Sequence, residues 1–294
     1  MIAICLALLA NDEIVLFKTT DQTVTPQSIE ERFAKAGYSI QQNRDMNGPY
    51  LKQFKKSDFE VYNLMTIYEP KIAMELVRKY PVTGIFAPFS VVIYKKKGSK
   101  ELYVGVLSAK AMKKITGVKS KLFDKLQAKN EQTIKSALKL AKRVELPYKP
   151  QKVKEKLLTS YSFESDPDEA LEAKDEVEML IEDGLKPIGF VMANFNDFNY
   201  DLKEAGYKDF IFYDAYSLCK LKVIYTVSKI RPEAGVFAPC TLAIYQKRGE
   251  KKMHIVFPNI YNWIATLALK DKQAIAALQK AQKDMVGVIE NALP

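Results

Sequence analysis

With 294 residues, 48% of them hydrophobic, and 45 Lys and Arg against 35 Asp and Glu, the chain has the composition of a folded globular protein with room for two domains. With Cys5 set in the N-terminal apolar run, two cysteines and one histidine remain in the body of the chain, too few for a structural zinc site built from Cys and His alone, and any imidazole chemistry would have to run through His254. No apolar run reaches the ~18 residues of a membrane-spanning helix, and Val236–Tyr245 is interrupted by Pro239 and Thr241.

The chain opens on Ile2–Ala10, an apolar run that breaks sharply into Asn11-Asp12-Glu13. It reads either as the core of an export signal whose basic leader is missing or as a first buried strand. The abrupt break favours the signal, and with it a periplasmic or otherwise exported protein over a cytoplasmic one. Glu13–Thr19 follows as a strand, rich in β-branched and aromatic residues. Thr25-Pro26 starts a helix with Ile29, Phe33 and Ala36 inward, closed by Gly37. Strands are expected around Tyr38–Asn43 and Phe59–Tyr68, then a helix from Pro70 to Pro81 with Ile72, Ala73, Leu76, Val77 and Tyr80 on one stripe. Phe86–Lys95 and Glu101–Leu107 form a hairpin about a turn at Lys96–Lys100, and Leu122–Val144 reads as one long amphipathic helix. Leu146–Pro150 is a proline-stiffened linker.

The second half repeats this order. Lys156–Ser162 is a strand, and Asp166-Pro167-Asp168-Glu169 a helix start with Glu169 set to complete a capping box. That helix buries Val177, Leu180 and Ile181 and stops at Gly184. A strand at Phe210–Leu218, a helix with Val223, Val227 and Ile230 inward, a hairpin over Phe237–Phe257 and a terminal helix over Asp271–Leu293 complete the unit. Each half reads β-α-β-β-α-β-β-α, which implies an α+β fold: an antiparallel sheet with helices packed on it, made twice. The divisions are 1–10 for the leader, 11–145 and 156–294 for the repeats, and 146–155 for the linker.

The duplication is explicit in one phrase. Gly84–Gly98 reads GIFAPFSVVIYKKKG and Gly235–Gly249 reads GVFAPCTLAIYQKRG, an offset of 151 residues. The same offset aligns Phe59–Met112 with Phe210–Trp263 without a gap. A helix closed by Pro followed by G-[IV]-F-A-P-[FC]-[ST]-x-x-[IV]-Y resembles the family called domain of unknown function 302. This resemblance implies a two-layer α+β fold similar to the TATA-binding-protein-like class, and no established activity or cofactor. The family pattern has Cys-Asn-Pro opening the middle helix and Pro-Cys opening the next strand. Here the second half keeps Cys219 and Pro239-Cys240 but has Lys220-Leu221 in place of Asn-Pro. The first half keeps Pro70 and Pro88 and has Tyr68 and Phe89 where the cysteines would stand. The resemblance thus implies that a Cys-dependent site survives only in the second half.

Cys219 and Cys240, with Pro239 beside them, are therefore the candidate ligand-binding or redox residues. Cys219 precedes a helix, whose N-terminus would favour a thiolate. With a hairpin turn centred on Gly249, His254 would pair with Ile244, on the face of Cys240 but ~13 Å along the strand, too far to join it. The aromatics Phe86, Tyr94, Phe237 and Tyr245 recur in register, as core or cross-strand pairs do.

Residues 1–150 hold 26 bases against 14 acids. Between Lys95 and Arg143, 15 bases face only Glu101, Asp124 and Glu131. Lys95, Lys96, Lys97, Lys113, Lys114 and Lys121 are candidates for docking an anionic surface, against a solvated helix face as the simpler account; nucleic acid is not expected. The functional expectation is a binding protein rather than an enzyme, holding a small ligand, metal or redox partner through the second repeat. The alternatives are a thiol-based redox or sulfur-transfer enzyme using Cys219 and Cys240, and an interaction protein docking through its basic first repeat.

Overall fold

A computed structural model describes residues 10–294, so the leader reading falls outside the described residues except at Ala10. In the first half, β1 (Ile14–Thr19), β2 (Ser39–Asp45), β3 (Phe59–Tyr68), β4 (Phe89–Lys96), β5 (Leu102–Leu107) and β6 (Lys142–Arg143) form one sheet in the order β2-β3-β4-β5-β1-β6. In the second, β7 (Leu158–Glu164), β8 (Val191–Asp197), β9 (Phe210–Cys219), β10 (Cys240–Lys247) and β11 (Lys252–Pro258) form another in the order β7-β11-β10-β9-β8. All pairings are antiparallel. The fold is α+β, as the patterning of apolar runs and Pro/Gly stops implies.

In the first half the helices are α1 (Pro26–Lys35), α2 (Asn47–Phe54), α3 (Pro70–Lys79), α4 (Ala109–Thr116) and α5 (Lys121–Ala137). In the second they are α6 (Ala170–Leu185), α7 (Phe198–Glu204), α8 (Leu221–Ser228), α9 (Tyr261–Thr266) and α10 (Lys272–Ala292). Helix α1 begins as its Thr25-Pro26 start suggests: Thr25 Oγ1 accepts the Ser28 N–H at 3.1 Å while Ser28 Oγ accepts that of Thr25 at 3.0 Å.

Several boundaries differ from expectation. The long helix stops at Ala137, because Leu140 turns left-handed (φ 56°) and the chain then joins the sheet as β6. There Val144 N–H donates to Leu16 O at 2.9 Å, so a strand edge takes the backbone bonds that another helical turn would have used. Helix α6 starts at Ala170 without a capping bond from Glu169, and it runs through Gly184. A Cβ on Gly184 would stand 2.7 Å from Val288 Cγ1, so that glycine serves the close approach of α10 rather than a stop. Leu180 and Ile230, expected inward, are exposed. The short helices α2 and α7, inserted between the second and third strands of each sheet, had no clear sequence signal.

The repeated phrase makes the seam between the halves. Each copy contributes a 3₁₀ turn, Pro81–Phe86 and Pro232–Phe237. The Tyr62 hydroxyl donates to Pro232 O at 3.0 Å, and its twin Tyr213 donates to Pro81 O at 2.5 Å. Likewise Ser90 Oγ donates to Pro239 O at 3.1 Å and Thr241 Oγ1 to Pro88 O at 2.9 Å. Reciprocal bonds between equivalent residues are the mark of a two-fold interface, here enclosed within one chain. A hydrophobic core runs unbroken across it, joining Leu64, Val92 and Phe86 to Tyr213, Val236 and Trp263. The linker is fastened too: the Tyr148 hydroxyl donates to the buried Glu233 carboxylate, and the Arg231 guanidinium lies 4.2 Å over the Tyr148 ring.

Candidate functional site

Cys219 ends β9 and Cys240 begins β10, where Cys240 pairs with Leu218. The fold thus brings the two cysteines together, and both line one cavity with Trp263, Ile224 and Met285. The cavity offers only about 50 Å³, room for a few waters and far below the ~300 Å³ of a ligand site. Cys240 Sγ donates to Phe237 O at 3.2 Å. Burial pushes the Cys219 thiol up to about 11, against a small opposing pull from Arg44. Burial, reinforced by the neighbouring Cys219, pushes Cys240 up to about 12. The thiolate expected at the start of α8 does not arise, because desolvation outweighs the terminus of an eight-residue helix. Iodoacetamide at pH 7.5 is expected to leave Cys219 and Cys240 unlabelled in the native protein and to label both in denaturant, as read by peptide mass mapping. Rapid native labelling of either residue would restore a thiol chemistry.

Pro239 belongs to the seam, with its carbonyl held by Ser90. His254 pairs with Tyr245, one residue away from the expected register, and stacks on its ring at 4.9 Å. A one-residue slip reverses strand parity, so His254 and Cys240 lie on opposite faces rather than one. Phe86, Tyr94, Phe237 and Tyr245 are all buried; the last three stack on other rings and Phe86 packs edge-on to Phe123. Among the described residues, no group of three or more His, Cys, Asp or Glu could hold a metal ion, and no helix is long and apolar enough to cross a membrane.

The six candidate lysines are not gathered into one face. Lys95, Lys96 and Lys97 lie at the β4–β5 hairpin tip, whereas Lys113 and Lys114 ride on α4, beyond the far end of β5. Six residues of strand separate these ends by ~20 Å. Three of the charges are met within the chain: Lys95 by Glu60 at 2.9 Å, Lys113 by Asp124 at 2.7 Å and Lys114 by Glu13 at 2.7 Å. Lys121, exposed, opens α5.

A larger pocket lies on the other side of Cys219. Edge strands β2 and β8 approach one another across the seam, joined where Asn194 Nδ2 donates to Gln41 Oε1 at 3.1 Å. Beside that bond is a pocket of about 260 Å³. Arg44, Met46 and Leu64 line it from the first repeat, and Val191, Cys219 and Leu221 from the second. At the position equivalent to Cys219 stands Tyr68, its ring edge-on to Phe198 at 5.8 Å and its hydroxyl on Asp201 Oδ2 at 2.5 Å. The larger side chain occupies the related place in the other half of the seam. The exchange of Cys for Tyr at the 151-residue offset was legible in the sequence. The part played by Arg44, Leu64 and Val191 was not, since they meet only across the seam.

Two paired sheets of this topology, related by reciprocal seam bonds and carrying the duplicated motif, define a tandem α+β protein. The model of the family described as domain of unknown function DUF302 matches residues 16–141 and again residues 170–292, and the chain belongs to that family. A crystal structure of an uncharacterized conserved DUF302 protein from Bacillus stearothermophilus is similar at 18% identity with a TM-score of 0.38, covering 47% of this chain and 98% of that one. No curated protein matches the chain.

Proposed function

We propose that this tandem protein is a binding module that holds a small molecule in the pocket between β2 and β8, with Cys219 in its wall. The observation that carries this reading is the contrast in room: about 260 Å³ at the seam against about 50 Å³ between the two cysteines. The seam pocket falls just below the ~300 Å³ at which drug-sized sites begin, so it suits a metabolite of few heavy atoms. Protonated, enclosed thiols argue for Cys219 as a wall residue rather than a nucleophile. The reading keeps the expected involvement of Cys219 and moves the ligand from the second repeat alone to both repeats.

Saturation-transfer NMR with a soluble fragment library tests it. Fragments that bind the native protein are expected to lose their signal in Ala193→Phe, which places a ring in the pocket, while its unfolding midpoint stays close to that of the parent. Fragments that bind parent and variant alike would sink the proposal.

A further inference from the structure

We infer that the seam pocket selects a small carboxylate, with its charge on Arg44 at the rim and a short apolar tail on Met46, Leu64 and Leu221. This rests on the binding reading above and deepens it. Among the residues lining the pocket, Arg44 alone is charged. Its guanidinium makes no ion pair or hydrogen bond among the described residues, and no acid shares the pocket lining with it. Two more side chains with free donors share the rim. Gln42 and Gln53 both line the pocket, and neither amide has a hydrogen-bond partner among the described residues.

Three side chains with unused N–H groups at one mouth, above a floor of methyl and methylene groups, form an amphipathic receptor. A guanidinium stays charged at any physiological pH and offers two parallel N–H groups matched to the two oxygens of a carboxylate. The glutamine amides can add a third donor without adding charge. One cation facing the ligand matches one negative charge, which favours a monocarboxylate over a phosphate dianion. The apolar floor disfavours a polyol, whose hydroxyls would be buried without acceptors or donors. Cys219, a neutral thiol, presents the tail with a soft apolar surface and does not repel the anion.

The probes are butyrate, its neutral isostere butyramide, and inorganic phosphate, titrated into the full chain at low salt and followed by NMR chemical shifts. Butyrate is expected to bind at least tenfold more tightly than butyramide and than phosphate. Arg44→Gln should remove at least tenfold of the butyrate affinity and leave butyramide unchanged; Arg44→Lys should recover only part of it, since an ammonium lacks the planar fork. Butyramide binding as tightly as butyrate, or an Arg44→Gln variant that binds butyrate normally, overturns the carboxylate assignment and leaves the pocket standing. Phosphate binding more tightly than butyrate through Arg44 overturns it in favour of a phosphate ligand. If none of the three probes binds, the carboxylate assignment is overturned, while the pocket itself is decided by the fragment screen with Ala193→Phe.

Discussion

Gly84→Ala is expected to lose about 3 kcal/mol of unfolding free energy, an overpacking cost at the upper end of the usual range. A Cβ on Gly84 would overlap the Tyr213 hydroxyl and sit 2.5 Å from its Cζ, and Tyr213 is fully buried with its hydroxyl fixed on Pro81 O. The ring has nowhere to retreat, because Tyr245 stacks on it at 5.1 Å and Phe210 and Phe198 pack edge-on against it. Gly235→Ala should cost a similar amount, about 3 kcal/mol, since its Cβ would stand 2.4 Å from Val92 Cγ2 and 2.8 Å from Val92 Cβ, which no side-chain rotation moves, with Leu64 Cδ2 also at 2.8 Å. Gly48→Ala, where nothing lies within 4 Å, is the control and should shift stability by no more than about 0.5 kcal/mol. Urea unfolding followed by far-UV circular dichroism measures all three. Because a single core crosses the seam, the loss should appear as one transition moved to lower urea. A split into two transitions, or a Gly84→Ala protein as stable as the Gly48→Ala control, would contradict the seam as described.

The second large effect is in the dependence of stability on pH. Under α6, Lys174 Nζ bridges Asp214 at 3.1 Å, Glu178 at 3.5 Å and Asp175 at 3.1 Å, with Tyr216 beside Glu178 and Asp197 facing Asp214 across β8 and β9. Asp214 is buried and Glu178 half-buried, and one ammonium cannot fully satisfy two carboxylates. Asp214 has the closer contact with the lysine. Glu178 Oε1 has no hydrogen-bond partner, and burial pushes the Glu178 carboxyl up from 4.5 to about 7, with the charge of Asp214 adding to the rise. The folded chain therefore keeps a proton that the unfolded chain has released between these two values. This contribution is fully present below pH 4.5 and is lost as pH rises through about 7. Glu178→Gln, which keeps the shape without the charge, is expected to be about 2 kcal/mol more stable than the parent at pH 8 and nearly equal to it at pH 5. Thermal or urea unfolding at the two pH values checks this. A Glu178→Gln gain that is the same at both would show that Glu178 does not hold the proton.

Much of the fold follows from local pattern. The strand Phe59–Tyr68 lies where its run of β-branched and aromatic residues places it, and α3 opens at Pro70 after a strand that cannot continue past Glu69. These features depend on side-chain periodicity and on proline and glycine dihedrals, which a single chain segment carries within itself. The duplication is likewise a property of the sequence alone, and at its fixed offset it implied two equivalent sheets.

What the segments do to each other was settled only in three dimensions. The phrase repeated most faithfully looks in sequence like a conserved-chemistry motif. In space, Tyr62 meets Pro232 while its twin Tyr213 meets Pro81 and Gly84, and Pro88 meets Thr241, so identity between copies records mutual packing at a seam. The end of α5 depends on a free strand edge at Leu16, more than a hundred residues away, and the hairpin register that separates His254 from Cys240 depends on pairing with Tyr245. The thiols are pushed away from the expected thiolate for a similar reason: a helix terminus is visible in sequence, but the desolvation that opposes it is the sum of contacts from β9, β10, α8, α9 and α10. Arg44 carries no motif at all. Its candidate role exists because two edge strands, each satisfied within its own sheet, leave a gap where they face each other.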